Sequence, residues 1–142
     1  MAKSPPDLSL FPILPVVAAA LVDRDGRVLL AQRPAGKQHA GLWEFPGGKI
    51  DAGERPEAAL IRELAEELAI DVNAACLAPA TFASISVGER QLLLLLYVCR
   101  KWNGVPRAVE ASALRWVRPA EMHALPMPPA DRSLICLIEA LL

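Results

Sequence analysis

The chain has 142 residues, 54% of them hydrophobic and 22% charged, with 15 basic side chains against 16 acidic for a net charge of -1. That length makes one domain with no room for a second, and the apolar share is enough for a real core, which excludes a disordered polyelectrolyte. The near-zero charge gives no global attraction to nucleic acid, and 13 prolines exclude an all-helical bundle.

Residues 1–12 are polar and proline-rich and read as a flexible arm ahead of a single domain over 13–142. Lys3 followed by the apolar stretch Leu8–Val22 superficially resembles a secretory leader, with Ala18-Ala19-Ala20 imitating a cleavage site. Pro12 and Pro15 interrupt that run, and no stretch is long enough for a membrane helix, so a cytoplasmic protein is expected. Val16–Val22 and Arg27–Gln32 flank Asp23-Arg24-Asp25-Gly26 and predict a hairpin. Arg33–Trp43 reads as a long loop, and Glu44-Phe45 as a short extended piece entering Pro46-Gly47-Gly48. Pro56 to about Ala69 is the clearest helix. Its proline suits a first turn, Glu57 lies near the positive end of the dipole, and Ala58, Ile61, Leu64, Ala65 and Leu68 collect on one face.

Thr81–Val87 and Gln91–Arg100 predict two strands around Gly88-Glu89, with Leu92–Val98 buried on both faces. Ala113–Val117 is a further strand, Pro119–His123 a helical turn and Pro126–Pro129 a stiff loop. Asp131 or Ser133 is expected to cap a last helix with an apolar stripe of Leu134, Leu137, Ile138 and Leu141. Strands and helices mix without a regular βαβ rhythm, which predicts an α+β domain with α/β/α layers. Cys76, Cys99 and Cys136 lie in no CxxC and no Cys/His cluster with zinc spacing, so reduced core thiols are expected. His39 and His123 show no catalytic pairing and are expected to be incidental.

The most informative stretch is GKIDAGERPEAALIRELAEELAI, Gly48 to Ile70. Glu63, Glu66 and Glu67 stand at i, i+3 and i+4, where like charges cost roughly 0.2–0.5 kcal/mol per pair, and only Arg62 is adjacent to offset them. A surface helix of good helix formers is one reading. The other is that the carboxylates converge on a hard divalent cation such as Mg2+, which takes oxygen ligands and substrate phosphates. Gly47, Gly48 and Gly53 let the preceding loop approach a ligand closely.

Gly48, five residues, Glu54, seven residues, then Arg62-Glu63-Leu64-Ala65-Glu66-Glu67-Leu68-Ala69-Ile70 resembles the Nudix box at every prescribed position but one. The departure is Ala69, where the pattern has glycine. Alanine in a left-handed helix end costs on the order of 1 kcal/mol, unless the helix simply runs on. The resemblance implies the Nudix fold, a mixed β-sheet sandwiched between helices, and Mg2+-dependent hydrolysis of a nucleoside diphosphate linked to another group, with Mn2+ able to substitute. It implies Glu63, Glu66 and Glu67 as catalytic metal ligands, Glu54 as a supporting carboxylate, Gly47 as a carbonyl ligand and Arg62 as the residue that holds the glutamates. Glu110, in the loop after the long strand, is a further metal-binding acid by the same resemblance, and either Glu63 or Glu110 is the general base.

Arg33–Lys49 and Leu125–Ser133 resemble the MutT branch, which converts 8-oxo-dGTP to 8-oxo-dGMP and pyrophosphate and so sanitises the nucleotide pool. Arg33, Gly48 and Lys49 are candidates for substrate phosphate, Phe45 for a position near the base, and Asp131 for the purine edge. An ionised carboxylate accepts hydrogen bonds and does not donate, so Asp131 suits guanine-like N–H groups or the exocyclic amine of cytosine. CTP or 5-substituted dCTP is therefore the alternative substrate, a broader nucleotide range a third. A catalytically silent nucleotide-sensing module is the reading from another class; such modules lose box carboxylates, and this chain keeps all of them. The expected partner is a nucleoside triphosphate, with no direct nucleic-acid or membrane binding, in a monomer or homodimer.

Overall fold

The computed structural model describes residues 12–142. The arm expected over 1–12 lies, apart from Pro12, outside the described residues. In chain order the elements are β1 (Ile13–Leu21), β2 (Val28–Gln32), β3 (Trp43–Glu44), β4 (Gly47–Lys49), α1 (Pro56–Leu68), β5 (Ala78–Val87), β6 (Arg90–Cys99), β7 (Ala113–Val117), α2 (Pro129–Arg132) and α3 (Ile135–Leu141), with 3-10 turns at Ala74–Cys76 and Pro119–Ala124. No helix among them is long and apolar enough to cross a membrane.

The two most apolar strands lie side by side in the interior. β1 and β6 pair parallel from Ile13↔Gln91 to Leu21↔Cys99, inside a mixed sheet of order β4-β1-β6-β5. Over their second halves both strands meet core on each face, whereas Ile13 is exposed and Leu92, Leu93, Leu95 and Val98 of the run expected to be buried are half-buried. Ala18, Ala20, Leu94 and Leu96 face a core shared with Met122, Leu134, Ile135 and Ile138. Val17, Ala19, Leu21, Leu95, Tyr97 and Cys99 face a second core built on Leu60, Leu64 and Leu68 of α1. The sheet thus lies between α1 and the C-terminal helices, the expected layered α+β arrangement. A second sheet, β3-β2-β7, is antiparallel throughout.

The expected hairpin is corrected. The turn forms, with Gly26 at φ 77 and Asp23 Oδ1 accepting from the backbone N–H of Asp25 and of Arg27. Only one bridge, Val22↔Val28, joins its arms. β1 already has β4 on one edge and β6 on the other, so β2 leaves for the second sheet. The apolar stripe of α1 is also shifted: Ala59, Leu60, Leu64 and Leu68 are buried, whereas Ala58 and Ala65 are exposed and Ile61 is half-buried. In the last helix Leu134, Ile135 and Ile138 are buried, and Leu137 and Leu141 face out. Neither expected cap operates there. Asp131 lies inside α2 with its carboxylate on the Phe45 N–H, and Ser133 Oγ donates back to the Ala130 carbonyl. Of the three thiols only Cys99 is a core thiol; Cys76 is half-buried and Cys136 exposed.

Ala69 takes the left-handed conformation in spite of its side chain, with φ 57 and ψ 35. Its N–H donates to the Ala65 carbonyl at 3.1 Å, which ends α1 where a glycine would.

Candidate active site

The acidic face of α1 lies against β4, and two glycines make that approach possible. Gly47 pairs with Ala18 of β1, and a Cβ on it would sit 2.0 Å from the Val17 carbonyl oxygen. A Cβ on Gly48 would sit 2.4 Å from the Glu63 carboxyl carbon. A larger residue at position 47 would collide with the backbone of β1, and one at position 48 would displace the Glu63 carboxylate. With glycine present, Glu63 rests on the backbone, and the Gly47 N–H donates to Glu67 Oε2 at 3.3 Å.

Arg62 ties the cluster together. Its Nε and Nη2 donate to Glu54 at 2.8 and 2.9 Å, its Nη1 to Glu63 at 2.9 Å and to Glu66 at 3.5 Å, and its Nη2 to the Lys49 carbonyl at 3.1 Å. The Glu66 contact is long, but the bonds to Glu54 and Glu63 are charge-assisted and short. They hold the Glu54 carboxyl down at about 2, helped by the Asp51 N–H. Glu54 is therefore the anchor that orients Arg62, and Arg62 in turn orients Glu63 and Glu66.

Glu67 has no such partner. Burial, followed by the charges of Glu63, Glu44 and Glu110, pushes its carboxyl up to about 8. Burial raises Glu63 as well, against the opposing pull of Arg62. Glu110 is exposed but close enough for its charge to reach both. Its loop is pinned to the end of α1, where Arg107 N–H donates to the Leu68 carbonyl at 2.9 Å and Val109 N–H to the Glu67 carbonyl at 3.1 Å. Those bonds satisfy carbonyls that the helix end leaves without partners. Glu63, Glu66, Glu67 and Glu110 offer oxygen donors only, the chemistry a hard divalent cation takes, and their charges reach one another, but no three of these carboxylates lie within 4.8 Å of one another.

An open cleft of about 900 Å³, within the range of small-molecule sites, begins at Glu67 and Glu110; Glu63 and Glu66 lie outside its lining. Gly47, Gly48, Lys49, Glu67 and Glu110 line it at that end, and Phe45, Ala130 and Asp131 at the other. Asp131 is 7% exposed, and burial together with the Glu44 charge raises its carboxyl to about 7. It accepts the Phe45 N–H through Oδ2 at 3.0 Å. The expectation of a purely accepting carboxylate changes accordingly: near neutral pH this group also carries a proton to donate. The Phe45 ring borders the cleft but is 3% exposed, packed in the core. Arg33 lines the cleft, yet its guanidinium is engaged by Glu44 at 3.1 Å and by the Gln38 carbonyl at 2.8 Å. Lys49 is exposed and lines the cleft with Gly47 and Gly48.

Glu44 is the site residue that the sequence reading missed. It pairs with Arg33, lines the cleft between the two ends, and burial raises its own carboxyl. Its signal was present in RPAGKQHAGLWEFPGGK, a loop with one acid among several cations. His39 also borders the cleft, with φ 61, in the loop that Arg33 braces.

A sequence profile of the NUDIX domain matches residues 12–138. The CTP pyrophosphohydrolase of Escherichia coli strain K12 is 40% identical over 119 residues, which is 84% of this chain and 87% of that protein. The 8-oxo-dGTP diphosphatase of Haemophilus influenzae is 36% identical over 124 residues, 87% of this chain and 89% of that one. Among solved structures, the solution structure of the E. coli ORF135 protein superposes with a TM-score of 0.83 at 38% identity, covering 96% of this chain and 95% of the other.

Proposed function

The chain belongs to the Nudix family of hydrolases, and on that premise we propose that it cleaves nucleoside triphosphates to the monophosphate and pyrophosphate, with 8-oxo-dGTP as the principal substrate. The observation that supports this reading is that Glu67 of α1, Glu110 and the buried Asp131 line one cleft. A nucleotide laid along it puts its polyphosphate over the acids and its base against Asp131.

Glu63, Glu66, Glu67, Glu110 and the Gly47 carbonyl would hold a divalent cation, and Mg2+ is the ion of choice for oxygen donors that share a site with phosphates. When bound, such an ion neutralises polyphosphate charge and makes an attacking water easier to deprotonate. The chain supplies the remaining roles. Glu63 is fixed by Arg62 and by its contact with Gly48, so it is the less mobile of the two candidate bases. Glu110 is exposed at the cleft, on a loop held at its root, and is the better placed to take the water proton. Lys49 offers its ammonium to a phosphate oxygen. Arg33 orients Glu44 and the 33–42 loop rather than touching phosphate. The water oxygen bonds to phosphorus as the phosphoanhydride P–O bond breaks, and pyrophosphate departs.

At the base end, oxidation of guanine turns N7 from an acceptor into an N–H donor. A carboxyl that accepts there and donates to the neighbouring carbonyl when protonated reads that edge. A second reading is favoured by the same residue, because ionised Asp131 accepts equally well from the amine of cytosine, and the E. coli relative is a CTP pyrophosphohydrolase. The test is pyrophosphate release on a panel of 8-oxo-dGTP, dGTP, CTP and 5-methyl-dCTP, with Mg2+ and with EDTA. The highest kcat/KM on 8-oxo-dGTP supports the first reading; the highest on a cytosine nucleotide replaces it with the second. The box carboxylates, all present, argue against a silent sensing module. The free thiols and balanced charge support a cytoplasmic enzyme, monomeric or dimeric, that acts on free nucleotides.

A further inference from the structure

The C-terminal layer carries a second group of donors, on the face of the sheet opposite α1. His123, at the end of the 3-10 turn Pro119–Ala124, meets Cys136 and Glu139 of α3, and one ligand atom from each lies within 4.8 Å of the others. His123 Nε2 contacts Glu139 Oε1 directly. All three side chains are exposed, so none contributes to the core. Their positions are nonetheless set from beneath, because Met122 precedes His123 and Ile135 and Ile138 flank Cys136 and Glu139, and all three apolar side chains are fully buried in one core. Cys136 and Glu139 stand three residues apart on α3 and so project from one side of it.

We propose that His123, Cys136 and Glu139 form a binding site for a borderline divalent cation of the zinc class, separate from the glutamate cluster of the cleft. The donor set decides the ion. Imidazole nitrogen, thiolate sulfur and carboxylate oxygen are the three ligand types zinc accepts, and three protein ligands leave a fourth tetrahedral position for water. Mg2+, which demands oxygen, has little use for two of the three. The Arg132 guanidinium is occupied by the carbonyls of His123 and Leu125, and the Glu121 carboxylate accepts the Arg118 N–H. The sequence shows no Cys/His cluster with zinc spacing because this grouping is created by the packing of two elements and not by a local motif. An ion here clips the 3-10 turn to α3. Between them runs α2, which carries Asp131, so the ion braces the base end of the cleft without touching substrate.

The test is a Co2+ titration of the full chain in saturating Mg2+, read in the near-ultraviolet. Carboxylate-bound cobalt, including any in the cleft, gives no thiolate-to-metal charge-transfer band. The expected result is such a band saturating at about one cobalt per chain, lost in C136S, weakened in H123A and E139Q, and bleached by added Zn2+. Zn2+ should also raise Tm in the wild type and leave the Tm of C136S unchanged, while Mg2+-dependent turnover is equal in the two. No band in the wild type, or a band and Zn2+-induced Tm shift that survive in C136S, would overturn the proposal and leave His123–Glu139 as a simple surface pair.

Discussion

At the scale of single residues, the cleft depends on carboxyls held away from their ordinary state. Glu67→Gln removes the charge assigned to the metal and keeps the side-chain shape. Turnover should fall at least about a hundredfold, equivalent to roughly 2.7 kcal/mol of transition-state stabilisation, and the rise in Tm with Mg2+ expected of the wild type should be lost. Near-normal kcat in the folded variant would remove Glu67 from the site. Asp131 makes a different prediction. Its carboxyl sits at about 7 in the fold and at 3.8 in an ordinary environment, so between those values the unfolded chain binds fewer protons than the folded one. Stability contributed by this group is therefore full below about pH 4, declines as pH rises to about 7 and is level beyond that. Asp131→Asn should flatten that decline, measured as the difference between the two proteins in urea unfolding across pH. Asp131→Ala should raise KM for the true substrate more than it lowers kcat, because the residue is assigned to base recognition and not to the reacting phosphate.

At the scale of elements, α1 was legible in the sequence and its surroundings only partly. Pro56, Glu57 and the leucine spacing give the helix, and the glutamate spacing gives its acidic face, because both are local and periodic. The shift of the buried stripe from Ala58 and Ala65 to Ala59 and Leu60 was not legible. Small residues satisfy either face, and the choice was made by β1 and β6 packing from elsewhere in the chain. The hairpin was misread for a related reason: a turn signal specifies the turn, whereas the pairing of its arms depends on whether the edges of β1 are free. Glu44 and the brace on the Glu110 loop stayed hidden because their partners are distant in sequence or are backbone atoms. Two substitutions test the local geometry. Ala69→Gly should stabilise the protein by roughly 0.5–1 kcal/mol in denaturant unfolding, since the position is left-handed and glycine carries no penalty there. Gly47→Ala should act in the opposite sense by about 1–3 kcal/mol, because its Cβ would collide with the Val17 carbonyl and the β1–β4 pairing would have to shift. An unchanged denaturation midpoint in either variant would contradict the corresponding contact.

At the scale of the whole molecule, the cleft is bounded by parts of two different sheets. Gly47–Lys49 belong to the sheet that carries β1 and β6, whereas Trp43–Glu44 belong to the one that carries β2 and β7. The chain passes between them at the 22–28 turn, with its one bridge, again at Phe45-Pro46, and a third time in the 100–112 segment that carries Glu110. Cation binding at the glutamates should stabilise the first sheet most directly, so EDTA is expected to lower Tm in proportion to the metal previously bound and to abolish turnover; a Tm indifferent to EDTA and Mg2+ would detach the ion from the fold. The split has a consequence for discrimination. In the proposed pose a nucleoside triphosphate would span the seam and touch both halves, whereas pyrophosphate alone would reach only the first. Amide exchange in β2 and β7 should therefore slow with an intact, uncleavable nucleotide and stay fast with pyrophosphate, making the seam itself a gauge of whether the base has arrived.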